Sequence, residues 1–197
     1  MRSLIPSIDD VNVALKTHNL DILCISESWL SPEIADNFLV FPGYGVSRRD
    51  RPGRGARRGG GVCVLHRDNF WVERLSVPSE GSALESLWLS VCSVTTVIIG
   101  VIYRPPSASV GVVLDDFQSQ LAHVCATDKP LYVLGDVNFD WGHPNRPCVR
   151  RYSQMLDDVN VKQLVRQPTR PVSGTLLDHV IVRASDTVTT TRVVPCS

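Results

Sequence analysis

Apolar positions along this chain recur with two periods, and the period changes from segment to segment. Ile8, Val11 and Leu15 stand three and four apart, the spacing that lines one face of a helix, and predict a helix over 8–17 with Asn19 suited to its end. The next segment, 20–26, is a short unbroken apolar run and reads as a buried strand. Further strands are predicted over 59–66 (Gly-Gly-Gly-Val-Cys-Val-Leu-His), 84–91, 97–103, 131–134 and 176–182, with turn residues between them. Pro105 and Pro106 end the 97–103 run abruptly. Val113, Phe117, Leu121 and Val124 mark a long helix over 110–126, and 150–158 reads as a shorter one. Strands therefore come in neighbouring pairs interrupted by helices, which argues for an α+β layered fold. One compositionally biased stretch, the Arg/Gly-rich 47–60, reads as a hairpin or surface loop. There is no internal repeat, heptad run or linker, so 1–197 is read as a single domain.

Composition alters this picture in one respect. The chain has 197 residues, 43% of them apolar and 20% charged, with a formal net charge of zero. Yet its positive charge is carried by seventeen arginines and only three lysines. Arginine's planar fork matches phosphate oxygens two at a time, so the bias leans toward a phosphate-bearing partner. Six arginines lie between Arg48 and Arg58, and Arg48, Arg49, Arg51 and Arg54 are candidate contacts to a nucleic-acid backbone. The same cluster reads equally well as a solvated loop.

The six cysteines (Cys24, Cys63, Cys92, Cys125, Cys148, Cys196) are widely spaced and form no Cys-x-x-Cys pair. Three of them sit in apolar runs, where a free thiol behaves as a small hydrophobe. This usage fits a reducing compartment, nuclear or cytoplasmic, and neither a disulfide framework nor a zinc site. No secretory leader and no apolar stretch of membrane-spanning length is found.

The polar residues of interest share a position, each closely following or interrupting an apolar run and so falling at a strand end. They are Glu27, Tyr103, Asp136 with Asn138, and Asp178. A rigid sheet can hold several such groups at one point. Together they suit attack of water on a phosphodiester. Glu27 offers the hard oxygen that magnesium prefers, Asp136 could polarise the water, and Asn138 could fix the phosphate. Each also has a plainer reading. Gly-Asp-x-Asn is a good turn sequence, Ser-Glu-Ser can simply begin a turn, and Tyr103 can be a packed aromatic. Asp178, flanked by apolar residues, requires a buried partner. His179 faces the other side of that strand and is read as structural, while His18, His66, His123 and His143 show no ligand spacing.

Taken in order, Ser26-Glu27-Ser28-Trp29, Tyr103-Arg104-Pro105-Pro106, the run from Gly135 through Asp136 and Asn138 to Asp140, and Thr175-Leu176-Leu177-Asp178-His179 resemble the endonuclease/exonuclease/phosphatase superfamily. The likeness is greatest to the endonuclease domain of LINE-type (non-LTR) retrotransposons, relatives of the apurinic/apyrimidinic endonucleases. The resemblance implies a four-layered α/β sandwich of two packed β-sheets flanked by helices and magnesium- or manganese-dependent cleavage of DNA; a monomer is expected. It also implies roles. Glu27 resembles the family's metal-binding glutamate and Tyr103 the tyrosine beside the scissile phosphate. Asp136 and Asn138 resemble the pair that orients water and phosphate, and Asp178 the aspartate that orients a catalytic histidine. Thr169, in Gln167-Pro168-Thr169-Arg170, resembles a phosphate-contacting position.

Two departures qualify the likeness. Relatives carry an asparagine in the first strand just before an x-Arg-Ser-Leu sequence, and here Met1-Arg2-Ser3-Leu4 begins past that point. They also carry a Ser-Asp-His strand, and no Ser-Asp-His occurs here. The expectation is therefore a domain truncated at both termini and incomplete at the first and last strands, with Asp178 lacking a histidine to orient. The reverse transcriptase that follows in such elements is likewise absent. Three readings stay open: a DNA endonuclease by descent, a catalytically dead remnant that binds nucleic acid or nothing, and a lipid or inositol-phosphate phosphodiesterase. A glycosidase is more distant, because it leaves Gly-Asp-x-Asn and Asp178 without a task.

Overall fold

The computed structural model describes residues 3–51, 59–80, 82–188 and 190–194. Its strands form two sheets. In the first, β1 (Ile22–Ser26), β2 (Tyr44–Arg49) and β3 (Val62–Arg67) lie antiparallel in the order β1-β3-β2. The second holds β4 (Trp71–Arg74), β5 (Glu85–Cys92), β6 (Thr96–Tyr103), β7 (Leu131–Asp136), β8 (Val161–Gln163) and β9 (Asp178–Arg183), ordered β4-β5-β6-β7-β9-β8. Only the β6–β7 pair is parallel. Parallel neighbours need a long crossover, and α2 (Val110–Cys125) supplies it.

The layers follow from which faces are apolar. Between the sheets, Val62 and Val64 of β3 meet Leu87, Leu89 and Val91 of β5 and Ile99, Val101 and Tyr103 of β6. On the outer face of the small sheet, α1 (Ile8–Thr17) buries Val11 and Leu15 against Cys63 and Leu65. On the outer face of the large sheet, α2 and α3 (Pro147–Asp158) bury Phe117, Leu121, Tyr152 and Leu156 against Trp88, Ile98 and Val133. The result is helix, sheet, sheet, helix, the four-layered sandwich expected. Among the described residues no helix is long and apolar enough to cross a membrane, and the five described cysteines are unpaired.

Three strands do not cover six. The outer edge of β1 pairs with no described strand, and Tyr132, Leu134 and Val180 stay half-buried on the face turned toward the small sheet. An unpaired apolar edge is a template for strand pairing between molecules.

Three elements were not anticipated. β4 and β8 are short, and β2 overlaps the Arg/Gly-rich 47–60 only at 47–49, its sequence Tyr-Gly-Val-Ser-Arg-Arg carrying no clean alternation. All three lie at sheet edges, where a longer partner strand supplies the pairing. α3 also starts at Pro147, three residues before the expected point, proline being well suited to a helix's first turn.

The arginine cluster requires the main correction. Arg48 and Arg49 belong to β2, on opposite faces of the small sheet, and the guanidinium of each is engaged by the protein itself. Arg48 donates to the Ile34 carbonyl at 2.6 Å and pairs with Asp36 and Asp50, and Arg49 donates to the Ser86 carbonyl at 2.7 Å. A guanidinium spent on a carbonyl and two carboxylates is not a free backbone contact. Arg51 pairs with Glu85, and Arg54 lies outside the described residues.

Candidate active site

Strand register gathers the strand-end residues into one row. Glu85 opens β5 opposite Tyr103 at the end of β6, Tyr103 lies beside Asp136 at the end of β7, and Asp136 lies opposite Asp178 at the start of β9. Side chains in register share a face, so all four point into the mouth between the two sheets. From the facing sheet, Glu27 follows β1 and accepts a hydrogen bond from the Tyr103 hydroxyl at 2.8 Å. Burial and the bond to Glu27 push the Tyr103 phenol well above its ordinary pKa, with the Glu27 and Asp136 charges adding to the effect. The phenol is thus a fixed donor and not a base.

Asp136 is 3% exposed. Burial, with the Asp178 charge beside it, pushes its pKa up to about 6. Its Oδ1 accepts from the Asn138 backbone N–H at 3.0 Å and its Oδ2 from Arg170 Nη2 at 2.7 Å. Asp178 is half-buried. Thr169 Oγ1 accepts the N–H groups of both Leu177 and Asp178, each at 3.1 Å, so Thr169 pins the start of β9.

Asn138 is aimed by a residue the sequence reading quoted but did not assign. Arg104 is 6% exposed and stacks over the Phe139 ring at 4.5 Å. Its N–H donates to the Asp136 carbonyl, its Nη1 donates to the Asn138 carbonyl, and its own carbonyl accepts from Asn138 Nδ2 at 2.8 Å. Asn138 holds φ 50°, a left-handed conformation that this clamp stabilises. Asp140 fastens the same loop from the other side. Burial works against its charge, but bonds from the Leu176 N–H, His143 and the Gly142 N–H hold its pKa below the usual carboxylate range.

Glu27 is held just as tightly, and it too is left-handed, at φ 59°. The Ser28 and Trp29 N–H groups donate to the Gly61 and Gly60 carbonyls at 3.0 and 2.9 Å. Gly61 in turn donates to Glu85 Oε2 at 2.5 Å, and Arg51 donates to Glu85 Oε1 at 2.5 Å while lying 5.8 Å from the Tyr103 ring centre. Gly61, at φ 77°, has no room for a side chain, because a Cβ there would lie 2.7 Å from Ser28 Oγ. Gly61→Ala is therefore expected to cost about 1–3 kcal/mol, from backbone strain and displacement of buried Ser28. A lowered melting temperature would show it.

The histidines lie apart from this row. His179 is 2% exposed, on the opposite face of β9. It bonds with the Tyr152 hydroxyl at 3.0 Å and stacks on that ring, and burial pushes its pKa down to about 4. None of the five histidines hydrogen-bonds to Glu27, Tyr103, Asp136, Asn138 or Asp178 among the described residues. Glu85, Arg104, Asp140 and Arg170 were missed by the sequence reading. Glu85 and Arg104 obey the same strand-end rule that found the others, and Arg170 adjoins the Thr169 that was singled out.

Among the described residues no three of His, Cys, Asp and Glu converge as a metal cage. Glu27 offers one carboxylate whose second oxygen bonds to no described residue. That donor set fits an ion that keeps most of its waters and takes one or two carboxylates, as magnesium does, and not a zinc site of four protein ligands.

Two sheets whose strand ends present carboxylates, an amide and a phenol to one mouth define a class of hydrolase that works on phosphate esters with fixed oxygen groups. The sequence agrees: residues 6–197 match the model of the Endonuclease/Exonuclease/phosphatase family, and the chain belongs to it. Nuclease- and phosphatase-type phosphoester hydrolysis is the chemistry of that class. Among solved structures, the chain is similar to the endonuclease domain of TRAS1, a telomere-specific non-LTR retrotransposon, at TM-score 0.68 and 13% identity over 91% of this chain and 79% of that one. It is equally similar to the AP endonuclease LMAP from Leishmania major, at TM-score 0.68 and 13% identity over 92% and 75%. A third is the 3' phosphatase NExo from Neisseria bound to a product DNA hairpin, at TM-score 0.64 and 15% identity over 92% and 83%. At such identities the likeness is one of fold. No curated protein sequence matches the chain.

Proposed function

We propose that this domain hydrolyses DNA phosphodiesters with a divalent metal, as a slow endonuclease descended from retrotransposon target-nicking enzymes. The observation that carries the reading is the row Tyr103, Asp136 and Asp178 facing Glu27 across the mouth between the sheets. In this reading Glu27 holds magnesium or manganese, which when bound would neutralise charge on the phosphate oxygens. Tyr103, kept protonated, donates to the phosphate, and Asn138 Nδ2 does the same with the N–H that Arg104 leaves free. Asp136, with its pKa near 6, takes a proton from water as the water oxygen bonds to phosphorus and the bridging P–O bond breaks. The leaving oxygen is protonated from solvent. Thr169 serves by holding Asp178 in place, and Asp178 by raising the basicity of Asp136.

Slow turnover is part of the proposal, because no described histidine reaches Asp178. That same observation favours a second reading, in which the domain binds nucleic acid without cleaving it. Relaxation of supercoiled plasmid in magnesium, by the chain and by Glu27→Ala, tests both. Nicking that is lost in Glu27→Ala and in chelator supports the nuclease. Salt-sensitive DNA binding with no nicking supports the binding remnant, and turnover of inositol phosphates with neither supports a lipid-type phosphodiesterase.

A further inference from the structure

Arg170 makes a contact that the reading above leaves unused. It sits on an exposed hairpin closed by the Arg170–Thr175 bridge, with Val172 and Gly174 at its tip. Its Nη2 lies 2.7 Å from Oδ2 of Asp136, an oxygen of the most buried carboxylate in the row. The two partners differ sharply, since the Asp136 side chain is 4% exposed and that of Arg170 is 50% exposed. Arg170 thus touches the site with one corner of its guanidinium and turns the rest toward solvent. A guanidinium carries five N–H donors in a planar fork, and here one hydrogen bond to a described residue is made. The unused donors stay open to solvent within one guanidinium's reach of Asp136.

Position and register fix this corner. Thr169 ties the chain to the N–H groups of Leu177 and Asp178, and the residue after it reaches Asp136, the register partner of Asp178. Two adjacent carboxylates at the end of a cleft repel an anionic substrate, and a cation is needed there before a phosphate can approach. Arg48 and Arg49 are committed elsewhere, Arg51 is paired with Glu85, and Arg104 is buried under Phe139. Among the described residues, Arg170 is the arginine that bonds to Asp136 through its side chain while half of that side chain stays exposed.

We propose that Arg170 is a catalytic residue that binds a non-bridging oxygen of the scissile phosphate, bridging it to Asp136 and stabilising charge as water attacks. This rests on the phosphodiesterase reading of the same site. Arginine forks bind phosphate bidentately, and a donor that strengthens its hold as charge develops lowers the barrier. In the free protein the same fork neutralises Asp136, and on substrate binding one donor stays on the carboxylate while others take the phosphate.

The test compares the unchanged chain with Arg170→Gln and Arg170→Lys, all checked by thermal melting. The first readout is equilibrium binding to a short DNA duplex in chelator, across a range of salt, which needs no turnover. Loss of one phosphate contact should lower the slope of log affinity against log salt by about 1 in Arg170→Gln, with Arg170→Lys keeping the slope. The second is plasmid nicking in magnesium, where Arg170→Gln should lower kcat by about a hundredfold and KM little. Arg170→Lys should recover part of the rate but not all of it, because an ammonium cannot hold both groups. If the unchanged chain binds with a normal salt slope and Arg170→Gln shares its slope and rate, the Arg170 assignment is wrong and the nuclease reading stands. If the unchanged chain neither binds nor nicks DNA, the nuclease reading fails and takes this assignment with it.

Discussion

Asp136→Asn is expected to slow DNA nicking about a thousandfold and, at the same time, to raise the melting temperature at pH 7.5. The two effects share one cause. Burial and the neighbouring Asp178 hold the Asp136 pKa near 6 against an ordinary value of 3.8. A carboxyl with a raised folded-state pKa binds its proton more tightly in the folded protein than in the unfolded one. Stability therefore falls as pH rises from about 3.8 to about 6, and the full cost is present above 6. The difference between 3.8 and about 6 corresponds to about 3 kcal/mol, the most that removing the charge can return. Asparagine keeps an acceptor for the Asn138 N–H and cannot ionise. The expected gain at neutral pH is about 1–3 kcal/mol, since the half-exposed Arg170 pair is lost with the charge. For a chain of this size that is roughly 3–10 °C. The gain should vanish near pH 4, where Asp136 is already protonated in the folded state. Melting curves in chelator at pH 4.5, 6 and 7.5, set beside plasmid nicking, check it. A variant that is less stable at every pH would show that the Asp136 charge is stabilised by its surroundings, contrary to the argument.

Gly135→Ala should be more damaging than any active-site substitution. Gly135 occupies the middle of the site-bearing strand end with φ 147°, paired in parallel register with Ile102. A Cβ there would run into the carbonyl oxygen and carbonyl carbon of Ile102, far inside van der Waals contact. Both atoms are backbone of a fully buried central strand, so neither can turn aside. The expected cost exceeds about 4 kcal/mol, the range reached when a core has no way to relax. Low soluble yield, or a urea midpoint well below that of the unchanged chain, would show it. Gly174→Ala is the matched control. Its φ of 67° is also left-handed, but nothing lies within 4 Å of the position, so only about 1 kcal/mol of backbone strain is expected. Equal effects at the two glycines would mean that conformational preference, and not the Ile102 contact, controls the strand.

Much of this architecture was legible along the chain, and the reason is local. α1 and α2 announce themselves because Val11 and Leu15, or Val113, Phe117 and Leu121, recur at helical spacing and do bury that face. β5 and β6 are long apolar runs because both of their faces are covered, by the small sheet on one side and by helices on the other. Glu27, Tyr103, Asp136 and Asp178 stand out because a polar group closing or interrupting such a run can only lie where the strand meets an edge of the core. β2, β4 and β8 were hidden for the converse reason. An edge strand takes its pairing from its neighbour and needs no strong pattern of its own.

The sequence by itself determined the layers of this protein and the set of oxygen-bearing groups available at its strand ends, since both follow from periodicity within a few residues. Which of those groups meet was decided only by the tertiary structure. Tyr103 reaches Glu27 across 76 residues of chain, Arg170 reaches Asp136 across 34, and Arg51 reaches Glu85 across 34. Register within each sheet and the packing of one sheet on the other set those distances, and both are fixed by contacts summed over whole strands. For the same reason the arginines divided as they did. Six are crowded into one stretch, yet β2 commits Arg48 and Arg49 to partners on opposite faces of the small sheet, and the Asp136 carboxylate is met by an arginine more than a hundred residues further along.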